Sequence, residues 1–197
     1  MSANRKSKEV KIGLVVDYSI REHMQVAAQA YEEFMDFIDP DPGLSPSKTA
    51  QLSDFALEWF VFDYKLPRGI SPIEEYIRKN PDRQSRTVMR RLEEAFATQF
   101  VARFWLDEVR ASESLLVVQP YHDETIYRIR DRAASYDLDG QVGTISIRLA
   151  KIEDEWLIIG NIINYQPIVP SERMRKYMLE AKDTDPATFI DIVKLDY

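Results

Sequence analysis

The feature that most constrains this chain is an aromatic segment in its first half, FALEWFVFDYKLPRG at residues 55–69. Large apolar side chains recur through it at the spacing of one helix face; they are Leu52, Phe55, Trp59, Phe62 and Leu66. Its other sides are also mostly apolar, so the pattern predicts a helix that is buried nearly all round. We therefore expect Phe55, Trp59 and Phe62 to be structural core.

One carboxylate, Asp63, lies within this apolar segment. A carboxylate among aromatic rings needs hydrogen-bond donors, because its desolvation is otherwise unfavourable. The backbone amides of the following turn, residues 65–71, are donors close to it in the sequence. We interpret Asp63 as a structural clamp on that turn and not as an acid–base group.

Helical patterns fill the rest of the first half. One amphipathic helix is predicted to begin at a capping box formed by Ser19 and Glu22 and to end at the proline-rich segment 39–47. A long amphipathic helix is predicted over residues 84–111. Its start carries the main concentration of basic residues, at positions 83–91.

The residue pattern changes after position 113. Segments such as TIYRIRD, GTISIRLAKI and WLIIGNIINYQPI are rich in β-branched and aromatic residues, which favour strands. The alternation in GTISIRLAKI is typical of an antiparallel strand with one buried face. Turns are predicted at 137–140 and 153–155, and two closing helices are predicted to follow Ser171 and Asp185.

These patterns predict an α+β fold. An N-terminal helical half packs with a small antiparallel β-sheet or barrel, and C-terminal helices close the structure. The boundary is expected near residue 112, which gives a helical domain at 1–112 and a β module with the C-terminal helices at 113–197. The two parts are either separate domains or one compact unit.

Composition narrows the functional classes. The 197-residue chain has a net charge of −7, and a negative field repels phosphate, which disfavours nucleic-acid and anionic-lipid partners. The absence of cysteine excludes disulfides, thiolate metal sites and cysteine nucleophiles. Neither a signal peptide nor a bilayer-spanning run of roughly 20 apolar residues is visible. We expect a cytoplasmic protein without a membrane segment or cofactor.

The polar cluster His122, Asp123 and Glu124 is the main candidate for metal or proton chemistry. Imidazole and carboxylate groups can ligate a metal ion or transfer a proton. Consecutive residues in a strand or turn tend to point in different directions, however. We interpret the three as a polar turn.

The arginines Arg128, Arg130 and Arg148 form a candidate binding face. Arg128 and Arg130 alternate along one strand and so leave the same side of it, and Arg148 could join them from the next strand. Guanidinium groups on a small β module can hold a nucleic-acid backbone. The alternative is that these arginines pair with nearby acids such as Asp131, Glu153 and Glu155.

The aromatic helix and the strand-rich part together resemble a known group. The segments EWFVFDYKLPRG and YRIRDRAASYDLDGQVGTISIRLAKIEDEWLIIGN are similar to uncharacterised bacterial proteins that carry a WF-x-FD motif followed by a small β module. The resemblance covers roughly residues 52–162 and implies a shared fold. It implies no catalytic residue, and the cysteine-rich zinc-binding tail of some members has no counterpart in this chain.

We predict a non-enzymatic regulatory or accessory protein that acts by contact with a protein partner. The first alternative is nucleic-acid binding through the arginine face and the basic helix start. The second alternative is a metal-dependent hydrolase that uses the His122 cluster.

Overall fold

The computed structural model describes residues 9–181, 188–195 and 197. Its elements, in chain order, are α1 (Ile12–Ile38), α2 (Pro46–Phe62), α3 (Pro72–Lys79), α4 (Arg86–Thr98), β1 (Phe100–Arg110), a 3-10 helix (Ala111–Glu113), β2 (Leu115–Pro120), β3 (Tyr127–Arg130), α5 (Arg132–Asp137), β4 (Gly143–Ile152), β5 (Glu155–Gln166), α6 (Glu172–Glu180) and α7 (Phe189–Lys194). The fold is α+β, with helices flanking a small sheet, as predicted.

Serine caps begin four of the helices. Ser45, Ser71, Ser85 and Ser171 each accept a hydrogen bond from a backbone amide three residues later. The predicted start of the first helix at Ser19 is wrong, since α1 begins at Ile12 and the hydroxyl of buried Ser19 donates to the Val15 carbonyl. Burial of Val15 against the core favours the earlier start over the local capping signal.

The predicted helix over 84–111 is wrong in its second half. α4 ends at Thr98, Gln99 has an extended backbone, and β1 follows. The apolar residues of this stretch fit helical spacing, but several are aromatic or β-branched and also suit a strand. β1 pairs with β2 on one side and with β4 on the other, and these two ladders outweigh the helical pattern.

The five strands of the described residues form a closed sheet in the order β1-β2-β3-β5-β4. The antiparallel pairing and the tight turn between β4 and β5 agree with the prediction. β3 and β5 instead meet in parallel, through the single pair Ile129 and Trp156. α5 lies between β3 and β4, where the sequence pattern predicted only a turn at 137–140.

The apolar core is shared between the helices and the sheet. One cluster joins α1, α3 and α4 to the end of β4 and includes Tyr76, Leu92 and Ile152. Another joins α1 and α2 to β5 and α7 and includes Phe55 and Ile163. The interior of the sheet forms a further cluster. The helices therefore close their core against the outer surface of the sheet.

The aromatic helix α2 contributes to these clusters at several points. Phe55 and Phe62 are buried, and Trp59 is half-buried with its ring against Phe34 and Phe37. Leu66 lies beyond the end of α2, in a turn, although it is buried as well.

Two further predictions concern the C-terminal helices and the absence of a membrane-spanning helix. α6 begins after its predicted cap, Ser171, whereas the predicted helix start at Asp185 lies outside the described residues. Within the described part, the chain has no helix with the length and apolar character needed to span a membrane.

Candidate functional site

A buried ion-pair network joins α2 to the sheet. Arg148 of β4 is 1% exposed, and its Nε donates to Oε1 of Glu58 at 2.9 Å. Its Nη2 donates to Oδ2 of Asp63 at 2.5 Å, and its Nη1 donates to the side chain of Gln99. The guanidinium also lies over the Phe62 ring at 4.7 Å. Because each guanidinium nitrogen of Arg148 donates to a side chain outside β4, the network fixes the C-terminal end of α2 against β4.

Glu58 has its own donors in β5. Its Oε2 accepts from the backbone amide of Asn161 at 2.7 Å and from the side-chain amide of the same residue at 3.2 Å. Burial raises the pKa of the Glu58 carboxyl, although Arg148 and Asn161 oppose this effect. A Cβ at Gly160 would lie 2.3 Å from Oε1 of Glu58, so only glycine allows this close approach.

The clamp predicted for Asp63 is wrong. Its carboxylate accepts hydrogen bonds from Arg148, which is 85 positions away, and among the described residues it accepts none from the amides of 65–71. Sequence reasoning missed Glu58, Gln99 and Asn161 as members of the network. An acid in a helix that is apolar nearly all round was the one signal that could have indicated Glu58.

The structure separates the three candidate arginines. Arg128 and Arg130 are exposed on β3, whereas Arg148 is buried on β4, on the far side of β5 in the sheet order. Arg130 donates to the carbonyl of Glu113 at 2.5 Å. Arg148 pairs with Glu58 of α2 and with Asp63, which directly follows α2, and not with Asp131, Glu153 or Glu155. The three arginines therefore do not form one face.

The His122 cluster forms part of a turn that contacts α6. Nδ1 of His122 hydrogen-bonds with the carbonyl of Met178. Oδ1 of Asp123 accepts from the backbone amide and the hydroxyl of Thr125, both at 2.9 Å. Glu124 is exposed beside them. In the described part of the chain, no three His, Asp or Glu side chains come together in a way that could hold a metal ion.

A groove of about 750 Å³ runs along one edge of β5. Consecutive β5 residues line it, namely Leu157, Ile158, Ile159 and Gly160. The opposite wall consists of the end of β3, the start of α5 and the first described residues of the chain. Within the described residues β5 pairs with β3 only at Trp156, so the backbone after this point has no strand partner on the groove side.

Acidic side chains outnumber basic ones around this groove. Glu9, Glu113, Asp131 and Glu155 line it, against Arg130 and Arg132. Glu113 is ion-paired with Arg110 at 2.6 Å, and Asp131 caps α5. The groove thus combines a strand edge, apolar side chains and a negatively charged rim.

Comparisons with known proteins found no match: no family model fits the chain, and neither the curated proteins nor the solved structures include a similar one. The resemblance to proteins with the WF-x-FD motif stays a prediction.

Proposed function

We propose that this protein is a non-enzymatic interaction protein whose partner adds an extended peptide segment to β5. The observation that carries the proposal is the run Leu157–Gly160, which lines the groove without a strand partner on that side among the described residues. An unpaired strand edge offers backbone donors and acceptors at regular spacing. Extended peptides bind such edges through main-chain hydrogen bonds, and side-chain pockets add specificity.

The charges at the rim of the groove favour one class of peptide. Four acids against two arginines leave the rim acidic even though Glu113 is paired with Arg110, which favours a segment with lysine or arginine side chains. The apolar residues Ile12 and Leu157 favour aliphatic side chains at the alternate positions. The expected partner segment therefore alternates basic and aliphatic residues.

A labelled ten-residue peptide of alternating valine and lysine tests this proposal. We expect saturable binding by fluorescence anisotropy, and slower amide hydrogen exchange at residues 157–160 when the peptide is bound. The matched control is the same peptide with N-methyl groups on alternate amides, which keeps the charge but removes one row of backbone donors. Equal binding of both peptides, or exchange protection elsewhere only, would contradict strand addition.

A pair of charge variants tests the role of the rim. Arg132→Glu adds negative charge to the groove and should tighten binding of the lysine peptide several-fold at low salt. Arg173→Glu makes the same change on exposed α6, outside the groove, and should have no such effect. If the two variants behave alike, general electrostatic attraction accounts for the binding.

Nucleic-acid binding stays the alternative prediction. Single-stranded RNA in the same anisotropy assay distinguishes it from peptide binding, because phosphate contacts are strongest at low salt. Binding of RNA and not of the peptide would favour the alternative.

A further inference from the structure

We infer that a second site, separate from the β5 groove, binds an organic ammonium group next to Asp63. A cleft of about 540 Å³ lies between the ends of α1 and α2, the start of β1 and the start of α7. Aromatic rings of Phe37, Trp59 and Phe189 form its walls, and Asp63 and Arg148 lie at its base. It shares no lining residue with the groove along β5.

The charges at the base of the cleft favour a cation. One guanidinium, that of Arg148, faces two carboxylates, those of Glu58 and Asp63. The Arg148 and Glu58 side chains are 1% and 4% exposed, whereas the Asp63 side chain is 32% exposed. Asp63 is therefore the most exposed of the three charged groups, and it adds the second negative charge at the base of the cleft.

The walls of the cleft favour a cation with an apolar surface. Phe37 is 51% exposed, and its ring meets Trp59 edge to face at 6.3 Å. Aromatic faces attract organic cations, and tryptophan attracts them most strongly. The Arg148 guanidinium already lies over the Phe189 ring at 5.0 Å, so one cation–π contact exists at the base of the cleft. Aromatic walls beside a carboxylate suit a quaternary or methylated ammonium group.

This site changes the role expected for Trp59. The sequence pattern predicts a scaffold residue, and the Trp59 ring does pack against Phe34 and Tyr64. Its remaining surface lines the cleft. Trp59 is thus both a packing residue and a reporter for a bound ligand.

Choline chloride is the probe for this inference. The indole NMR signal of Trp59, assigned by its loss in Trp59→Phe, should shift saturably with choline. It should not shift with 3,3-dimethylbutan-1-ol, which has the same shape without the charge. Asp63→Asn should weaken choline binding about tenfold, the loss of one charge-assisted contact. Asp54→Asn, at an exposed position of α2 outside the cleft, should bind choline like the wild type.

Because Asp63→Asn also removes a partner of Arg148, a second variant that leaves the ion-pair network intact is needed. Phe37→Ala removes a half-exposed ring without touching the ion-pair network and should weaken binding several-fold. A peptide with trimethyllysine, compared with choline, shows whether the ammonium group comes from a protein or from a small molecule. The inference is overturned if choline and its neutral analogue give the same shifts, or if Asp63→Asn and Phe37→Ala both bind like the wild type.

Discussion

At the scale of single residues, Arg148 has the most demanding environment in the described structure. It is buried, and it compensates two carboxylates that belong to a helix far away in the sequence. Removing one partner from a buried ion pair leaves an uncompensated charge, which costs far more than the net stability of the pair itself.

Replacement of this guanidinium is the first prediction. Arg148→Met should lower the free energy of unfolding by about 3 to 5 kcal/mol, because Glu58 and Asp63 lose their common donor. Urea denaturation followed by circular dichroism measures the loss. Arg128→Met, which replaces an exposed arginine on β3, is the matched control and should change stability by no more than about 0.5 kcal/mol. A loss below about 1 kcal/mol for Arg148→Met would show that the network contributes little.

Glu75 of α3 is the second residue with a defined electrostatic role. Its carboxylate lies 2.6 Å from Nε2 of His23 and 2.8 Å from Nζ of Lys79, and it accepts from the Tyr18 hydroxyl. Burial raises the pKa of Glu75, but the hydrogen bonds from Lys79 and His23 outweigh burial and lower it from 4.5 to about 2. The folded state thus favours the ionised carboxylate.

The pH dependence of stability follows from this shift. The contribution of Glu75 is fully present above about pH 4.5 and is lost as the pH falls toward about 2, since the unfolded chain takes up its proton first. Glu75→Gln should therefore reduce the fall in melting temperature over this interval. Glu74→Gln, the neighbour on the same helix, is the control and should retain the wild-type slope. Identical slopes for the two variants would contradict the prediction.

Sequence reasoning at this scale identified buried residues better than their partners. The spacing of the aromatic residues in α2 correctly indicated a helix, because burial repeats with the local helical period. The partners of Asp63 and Glu58 lie 85 and 103 positions away, in strands whose register no local pattern specifies. The Arg148 network therefore could not be predicted from local sequence patterns.

At the scale of elements, the change from helix to strand at Gln99 shows where periodicity fails. Residues 86–98 and 100–110 carry one continuous apolar pattern, yet the first range is α4 and the second is β1. Trp105 and Leu106 are adjacent and both buried, which only an element covered on two faces allows. β1 lies between β2 and β4 in the sheet, and β4 comes from a distant part of the chain.

The third prediction concerns stability at the contact between α2 and β5. Gly160→Ala places a methyl group against the Glu58 carboxylate, so the Glu58 side chain must leave its position beside Asn161 and Arg148. We expect a loss of about 1 to 3 kcal/mol, as for overpacking in a core. Gly13→Ala, in α1 with no atom within 4 Å of the new methyl group, should leave stability unchanged or raise it by up to about 1 kcal/mol. Thermal unfolding of both variants measures these changes in stability. Equal changes for the two variants would argue against a close approach of Gly160 to Glu58.

At the scale of the whole molecule, the fold class was predictable, whereas the sequence left open whether the small sheet closes on itself. Helical periods in the first half and strand patterns in the second half indicate α+β independently of any tertiary contact. Closure depends on one parallel pair, Ile129 with Trp156, and on β1, which the sequence pattern assigned to a helix. Both depend on long-range pairing.

The shared core leads to the fourth prediction. Apolar clusters include residues from both sides of position 112, and Arg148 connects the same two parts. We expect one cooperative unfolding transition, in which far-UV circular dichroism and tryptophan fluorescence give the same midpoint and the same slope in urea. Two resolved transitions would instead support separate domains at 1–112 and 113–197, a division that stays a prediction.

The Arg148 network also sets an order of events during synthesis. The ribosome releases Asp63 85 residues before Arg148, a delay of roughly 4 to 17 seconds at about 5 to 20 residues per second. For that interval the nascent α2 carries two acids without their cation, so it cannot dehydrate the side that later meets the sheet. The N-terminal half of this chain must wait for β4 before it reaches its final packing.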